Sequence, residues 1–256
     1  MLLLLNSTKT MDLDAPVPPR LRTTEPRQLE LARPLAAELA KMSRPQLIRL
    51  MGLSEKLADE TRANAVLWGG RDRPTIPCLY GFTGLLYKSL DAPSLDAAQR
   101  RAIQKRLRIL SGLYGVLRPL DRIEAYRLEM GDKLAVGGAR NMVEYWRANL
   151  TAQLNADLKP GEPIISVAAL EYTKALDLKS LKGPLIHPVF KERHADGTLK
   201  TVTVHSKKAR GALVRFAITS GARAPRDLLA FDALGWEAAE EPPESGPWLF
   251  TRPVSV

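Results

Sequence analysis

The chain has 256 residues, 45% of them hydrophobic, and carries a formal net charge of +10, with one cysteine and three histidines. The length and apolar content suffice for a large core in one large domain or two small ones. A single cysteine, Cys78, excludes an intrachain disulfide and points to a reducing compartment. The excess of lysine and arginine favours polyanionic partners, or else a generally solvated basic surface.

The first element is the run Leu2–Leu5, too short for a signal peptide or a membrane span and read as a buried strand. No membrane association is expected, and the default location is the cytoplasm. Lys9 and Thr10 follow that strand directly, where site residues often stand in α/β sheets. The proline-rich piece 15–19 and the residues to Arg27 read as an extended surface loop, and Glu25 or Pro26 as the start of a helix with Leu29, Leu31, Leu35 and Leu39 inward. Ser43 with Gln46 three residues on forms a capping-box pattern, with Pro45 early in the helix. Gly52 breaks that helix and Ser54 caps the next, which runs through Leu57, Ala58, Ala63 and Ala65. Two short helices joined at a glycine have the layout of a helix-hairpin-helix over residues 43–65. There the glycine lets the backbone approach a phosphate and free N–H groups at the second helix bind it, with Lys56 and Arg62 adding charge. An ordinary helical hairpin has the same pattern.

Ser94 is the predicted cap of a helix from Leu95 to Leu110, with Ile103, Leu107 and Leu110 on one side and Arg101, Lys105 and Arg108 on the other, a candidate phosphate-tracking face or a plain solvated one. The next stretch, Arg108 to Asp121 followed by Tyr126 to Gly131, mixes two glycines, a proline and charges with apolar residues. It reads as a buried turn that aims Arg118, Asp121, Arg127 and Glu129 either at one another or at a ligand. Residues 141–157 read as an amphipathic helix, 164–168 as a central strand, and 185–193 with 198–205 as strands of a hairpin at Asp196-Gly197. A helix follows from Ser206, and the rest, from Asp227 to Val256, reads as strand–turn–strand. The basic middle contrasts with an acidic end formed by Asp232, Glu237, Glu240, Glu241 and Glu244. Alternating strands and helices make the fold α/β or α+β, one domain over 1–256 with a central mixed sheet flanked by helices.

No Walker loop, dinucleotide glycine pattern or nucleophile elbow occurs, and no cofactor is indicated. Three scattered histidines make no case for a metal, although His187 and His205 fall near the open end of the hairpin. The stronger set is cationic. Lys207, Lys208 and Arg210 open a helix where they oppose its dipole, which favours a nearby anion or acidic neighbours. With Lys9, Thr10, Arg118 and Arg127 they form a candidate pocket for an anionic ligand such as a nucleotide or a phosphate backbone. Glu129 or Glu171 is the candidate general base if the site is catalytic, with Lys9 a further catalytic candidate.

Five segments in order, Met1–Asp12, Leu53–Ala58, Arg108–Gly131, Glu171-Tyr172 with Lys174, and Lys207–Gly211, resemble the YaaA family of bacterial peroxide-stress proteins. The resemblance implies a single domain with a central sheet, a helix-hairpin-helix, DNA binding, and protection against hydrogen peroxide linked to intracellular iron. It adds Tyr172 and Lys174 to the ligand-binding candidates. DNA contacts are then expected at Gly52, Ser54, Lys56, Arg62, Arg101, Lys105 and Arg108. The alternative is an enzyme acting on a nucleotide, nucleobase or other small anionic metabolite. The chain departs from the family pattern at Thr83, Leu85, Ser166, Ala169 and Leu170, where polar positions of pocket-like segments are lost or exchanged. A change or loss of any family chemistry is the consequence to look for.

Overall fold

Leu2–Leu5 form the axis of the sheet, each at most 3% exposed. The computed structural model describes residues 1–239 and 241–254. In chain order its elements are β1 (Leu2–Asn6), α1 (Leu29–Lys41), α2 (Arg44–Met51), α3 (Glu55–Leu67), β2 (Ile76–Pro77), α4 (Cys78–Gly81), α5 (Leu85–Leu90), α6 (Ala97–Arg106), β3 (Leu107–Ser111), β4 (Gly115–Leu117), β5 (Arg122–Ile123), α7 (Met142–Asp157), β6 (Ile164–Ser166), α8 (Leu170–Thr173), β7 (Leu185–Arg193), β8 (Leu199–Lys200), α9 (Thr203–Thr219), β9 (Glu237–Ala238) and β10 (Gly246–Pro253).

The main sheet has the order β4-β3-β1-β6-β7-β10-β9, with β8 on the flank of β7. Strands β3, β1, β6, β7 and β10 are mutually parallel, and β4, β8 and β9 are antiparallel additions. The sheet is thus mixed and flanked by helices. A strand covered on both faces needs an uninterrupted apolar run, which is what Leu2–Leu5 supply. The chain leaves β1 toward β3 on one side and later returns to β6 on the other. The crevice beyond the carboxyl end of β1 is therefore a topological switch point, the usual place for a ligand in such sheets.

Several expectations are corrected by this architecture. Helix α1 begins at Leu29, because Gln28 is drawn aside to accept a hydrogen bond from the Val116 amide at 3.0 Å. Helix α6 is capped by Asp96 rather than Ser94: Asp96 Oδ1 accepts from the amides of Ala98 and Gln99 at 2.7 and 2.8 Å, and its own N–H donates to Gln99 Oε1 at 2.9 Å. That helix stops at Arg106 and passes straight into β3. Arg108 therefore lies on a buried strand, 7% exposed, and not on a helical face with Arg101 and Lys105. Its Nε donates to Asp157 Oδ2 at 2.6 Å. The hairpin at Asp196-Gly197 exists, but β8 is only two residues long and α9 starts at Thr203. Lys207 and Lys208 consequently sit beyond its first turn, where the dipole argument has faded.

Residues 43–67 do form two helices joined at Gly52, whose φ of +65° is the left-handed conformation that glycine tolerates. Ser43 N–H donates to Gln46 Oε1 at 2.7 Å and Ser54 Oγ accepts from Leu57 N at 3.4 Å. Of the acidic C-terminal residues, Glu240 lies outside the described residues, as do Ser255 and Val256 at the end of the predicted last strand. Helix α9 crosses α5 so closely that a Cβ on Gly211 would collide with the Leu86 carbonyl oxygen. That contact fixes the helix that carries Lys207 and Arg210 against α5.

Candidate functional site

A cleft opens at the switch point. Its main lobe, about 330 Å3, is lined by Asn6, Ser7, Thr8 and Lys9 from the end of β1, by Gly84 and Tyr87, by Glu129, by Glu171 and by Lys207 and Arg210 of α9. A second lobe of about 240 Å3 shares Lys9 and runs past Thr10, Leu57, Thr61, Asn64 and Arg127. Gly84 is required here, since a Cβ would lie 2.5 Å from Thr8 Oγ1. The floor is held by hydroxyls: Tyr87 donates to the Asn6 carbonyl at 3.0 Å, and Ser7 Oγ and Tyr172 OH are 3.3 Å apart. Asn6 Oδ1 accepts from the Ala169 amide at 2.9 Å, tying β1 to the segment that carries Glu171.

Charge in the cleft is paired rather than uniformly positive. Lys9 Nζ stands 2.7 Å from Glu129 Oε2. The Glu129 amide donates to Asp132 Oδ2 at 2.8 Å, and the Glu171 carboxylate packs against Gly131, where a Cβ would meet Oε2 at 2.7 Å. Three carboxylates thus converge on one ammonium. Burial, with Glu129 adding its charge, pushes the Asp132 carboxyl up to about 6. Burial and then Glu129 raise Glu171 as well, and the hydrogen bond to Glu129 raises Lys9. On the opposite wall, burial lowers the Arg210 guanidinium, whose Nε is enclosed without a hydrogen-bond partner. A carboxyl raised toward neutrality is common where acid–base chemistry occurs, but Asp132 itself lines neither lobe.

Of the predicted ligand-binding residues, Lys9, Glu129, Glu171, Lys207 and Arg210 line the main lobe, Tyr172 lies beneath it, and Thr10 and Arg127 line the second. Arg118, Lys174 and Lys208 do not line either. Arg118 instead closes its own turn: Nε and Nη2 donate to Asp121 Oδ1 at 3.0 and 2.8 Å, and Nη2 also reaches the Glu25 carbonyl at 2.9 Å. The buried charges of that turn therefore satisfy one another. Sequence reasoning missed Asp132, although its place three residues after Glu129 in a glycine turn was a usable signal. His187 and His205 each have a separate partner, the Ser166 carbonyl at 2.9 Å and Glu192 at 2.6 Å. Among the described residues no group of three or more His, Cys, Asp or Glu is arranged to hold a metal ion. No helix there is long and apolar enough to cross a membrane.

A second concavity, about 620 Å3, lies between the proline-rich loop and α6. Arg20, Arg22, Arg100, Arg101 and Lys105 line it and no carboxylate does. Among the described residues none of these five forms an ion pair, and Arg100 caps the Leu95 carbonyl. The hairpin differs. Helix α3 carries Glu55, Asp59 and Glu60 in its first two turns, Arg44 is held by Asp59 at 2.7 Å, and Lys56 lies 4.0 Å from Glu60. Gly52, Ser54 and Arg62 are exposed there.

Fold and site together define a mostly parallel α/β protein with a charged cleft at its switch point and a separate basic trough. The family is that of the peroxide stress protein YaaA, to which the chain belongs: the family model so described matches residues 1–242. The chain is 42% identical to a UPF0246 protein of Delftia acidovorans over 245 residues, 93% of this chain and 94% of that one. It is 38% identical to a UPF0246 protein of Flavobacterium johnsoniae over 255 residues, 98% and 100% of the two chains.

Proposed function

We propose that this peroxide-stress protein works in the cytoplasm by binding DNA through its backbone, without strong sequence readout, and that the trough between the proline-rich loop and α6 is the principal contact surface. The observation that carries this reading is the lining of the trough: five cations, no opposing carboxylate, and open access along α6. A row of unpaired cations attracts a polyphosphate by releasing its counterions, and it reads no bases. The acidic residues of α3 compete with phosphate at the hairpin, so Gly52, Ser54, Lys56 and Arg62 form a secondary contact at most. Family membership supports the link to limiting iron-dependent damage.

Fluorescence anisotropy with labelled duplex, bubbled and single-stranded DNA across a salt series tests the proposal. Changing Arg20, Arg22, Arg101 and Lys105 to Ala is expected to weaken binding and to reduce the salt slope by about one unit for each phosphate no longer neutralised. Changing Lys56 and Arg62 is expected to do less. Unchanged affinity and slope in the fourfold variant would remove the trough from the reading.

A second reading rests on a different observation. The Lys9–Glu129–Asp132–Glu171 cluster at the switch point, facing Arg210, is the arrangement of a small-ligand site with acid–base capacity. In that reading the chain also acts on a nucleotide, nucleobase or other small metabolite.

A further inference from the structure

We propose that the main lobe of the switch-point cleft binds a single nucleotide, with Glu129 and Glu171 receiving the N–H edge of the base and Lys207 and Arg210 the phosphate. This rests on the second reading above and is independent of the trough.

The lobe carries both signs of charge. Lys207 and Arg210 line it from α9, while Glu129 and Glu171 line it from the loop after β5 and from α8. A plain anion is favoured by the first pair and repelled by the second, and a plain cation the reverse. The complementary ligand carries an anionic group at one end and hydrogen-bond donors at the other. Among the described residues Arg210 pairs with no carboxylate, and its Nε is enclosed without a partner. A guanidinium largely withdrawn from water is stabilised by a bound anion, and phosphate suits its fork of donors.

The donor end is narrowed by Lys9. Its ammonium already sits 2.7 Å from Glu129, so a second ammonium, such as that of an amino acid, meets like charge there. Neutral N–H donors do not, and the amino and imino groups of a base are of that kind. A base presents such N–H donors on one planar edge, whereas a sugar phosphate offers only hydroxyls. Size agrees: about 330 Å3 is at the lower end of the roughly 300–1,000 Å3 of ligand pockets, which suits one nucleotide and not a dinucleotide cofactor.

The test is calorimetry and thermal shift on the full chain with AMP, CMP, GMP and UMP, each with its nucleoside, and with glucose 6-phosphate and glycine, whose anionic group is joined to hydroxyl or ammonium donors instead of a base. At least one nucleotide is expected to bind saturably, and its nucleoside at least tenfold more weakly. Arg210→Ala and Lys207→Ala are each expected to lose about tenfold for the nucleotide, the scale of one charge-assisted contact, while leaving the weak nucleoside binding in place. Glu171→Gln is expected to weaken nucleotide and nucleoside alike. Lys207 is exposed, so its variant folds and keeps the test decisive even where Arg210→Ala is unstable. No nucleotide binding, or binding indifferent to Lys207 and Glu171, overturns the proposal. Stabilisation by glucose 6-phosphate or glycine alone overturns the nucleotide assignment but leaves the small-ligand reading standing, whereas stabilisation by none of the ligands overturns both.

Discussion

Glu129 joins Lys9 to Asp132: its carboxylate meets Lys9 Nζ at 2.7 Å and its backbone amide donates to Asp132 Oδ2 at 2.8 Å. The three charges are therefore coupled through one residue. Burial raises the Asp132 carboxyl most; the Glu129 amide lowers it, the Glu129 charge raises it and Lys9 lowers it. Glu129→Gln is expected to bring the titration of Asp132 below about 6, and Lys9→Met to move it above. Carboxyl-carbon NMR titration reads both midpoints, and shifts of the same sign in the two variants would refute the coupling. The same carboxyl makes stability depend on pH. Raised above its unfolded value of 3.8, it disfavours the folded state at pH above about 6, and that penalty is relieved as pH falls between about 6 and 3.8. Relative to Asp132→Asn, the wild-type chain is thus expected to gain stability between pH 7 and pH 4. Urea melts at several pH values would show it, and a difference that stays constant with pH would count against it.

Much of this fold was legible because a strand buried on both faces leaves an apolar run, as Leu2–Leu5 does, and because Asp196-Gly197 and Gly52 mark turns through the φ values they permit. The junction of α6 and β3 was not legible. Ile103, Leu107 and Leu110 fall at helical spacing, yet the helix stops at Arg106 without a glycine, a proline or a linker, and tertiary pairing with β1 makes the next five residues a strand. Arg108 hides that strand further, since a charge at its second position reads as surface. In the site, Lys9, Glu129, Glu171, Lys207 and Arg210 were identifiable as chemistry-bearing residues next to strand ends and turns, and the fold brings them to one lobe. Arg118 had the same signature, but Asp121 three residues on takes its guanidinium. The trough depends on Arg20 and Arg22 meeting α6 from a loop about 80 positions away, a contact that no local pattern encodes.

Arg108 and Asp157 form a buried pair whose contribution to stability can be measured. Arg108 Nε donates to Asp157 Oδ2 at 2.6 Å, with side-chain exposures of 8% and 11%. Arg27 reaches the same carboxylate at 2.6 Å. Burial alone would raise Asp157, but the two guanidinium groups together hold it down at about 2. Asp157→Asn leaves the Arg108 charge buried beside a neutral amide, which is expected to destabilise the chain by about 3 kcal/mol. Chemical denaturation at pH 7 measures it. Because the folded value is depressed, this stabilisation is present above about pH 4 and fades as pH falls toward about 2, so the gap between variant and wild type is expected to close in acid. A variant within 1 kcal/mol of wild type at neutral pH would mean that the Gln104, Lys105 and Leu107 carbonyls, which already accept from Arg108 Nη1, compensate its charge fully.

A peroxide-stress protein can meet its oxidant directly only through a residue the oxidant reaches. The single cysteine, Cys78, is fully buried at the start of α4, and its thiol donates to the Arg118 and Pro119 carbonyls at 3.2 and 3.4 Å. Burial, with the Asp121 charge adding to it, pushes the thiol well above its ordinary value. The thiolate, not the thiol, attacks peroxide oxygen and expels hydroxide, so a thiol that is both shielded and held protonated is slow to oxidise. Mass spectrometry after peroxide treatment is expected to find Cys78 unmodified in the native chain and oxidised once the chain is unfolded in guanidinium chloride. Cys78→Ala is expected to keep the DNA affinity and its salt slope, both before and after peroxide. Sulfenic acid trapped at Cys78 in the folded protein would reverse the conclusion and make the turn at Arg118 a redox element. If the thiol stays silent, the peroxide role does not run through oxidation of this cysteine.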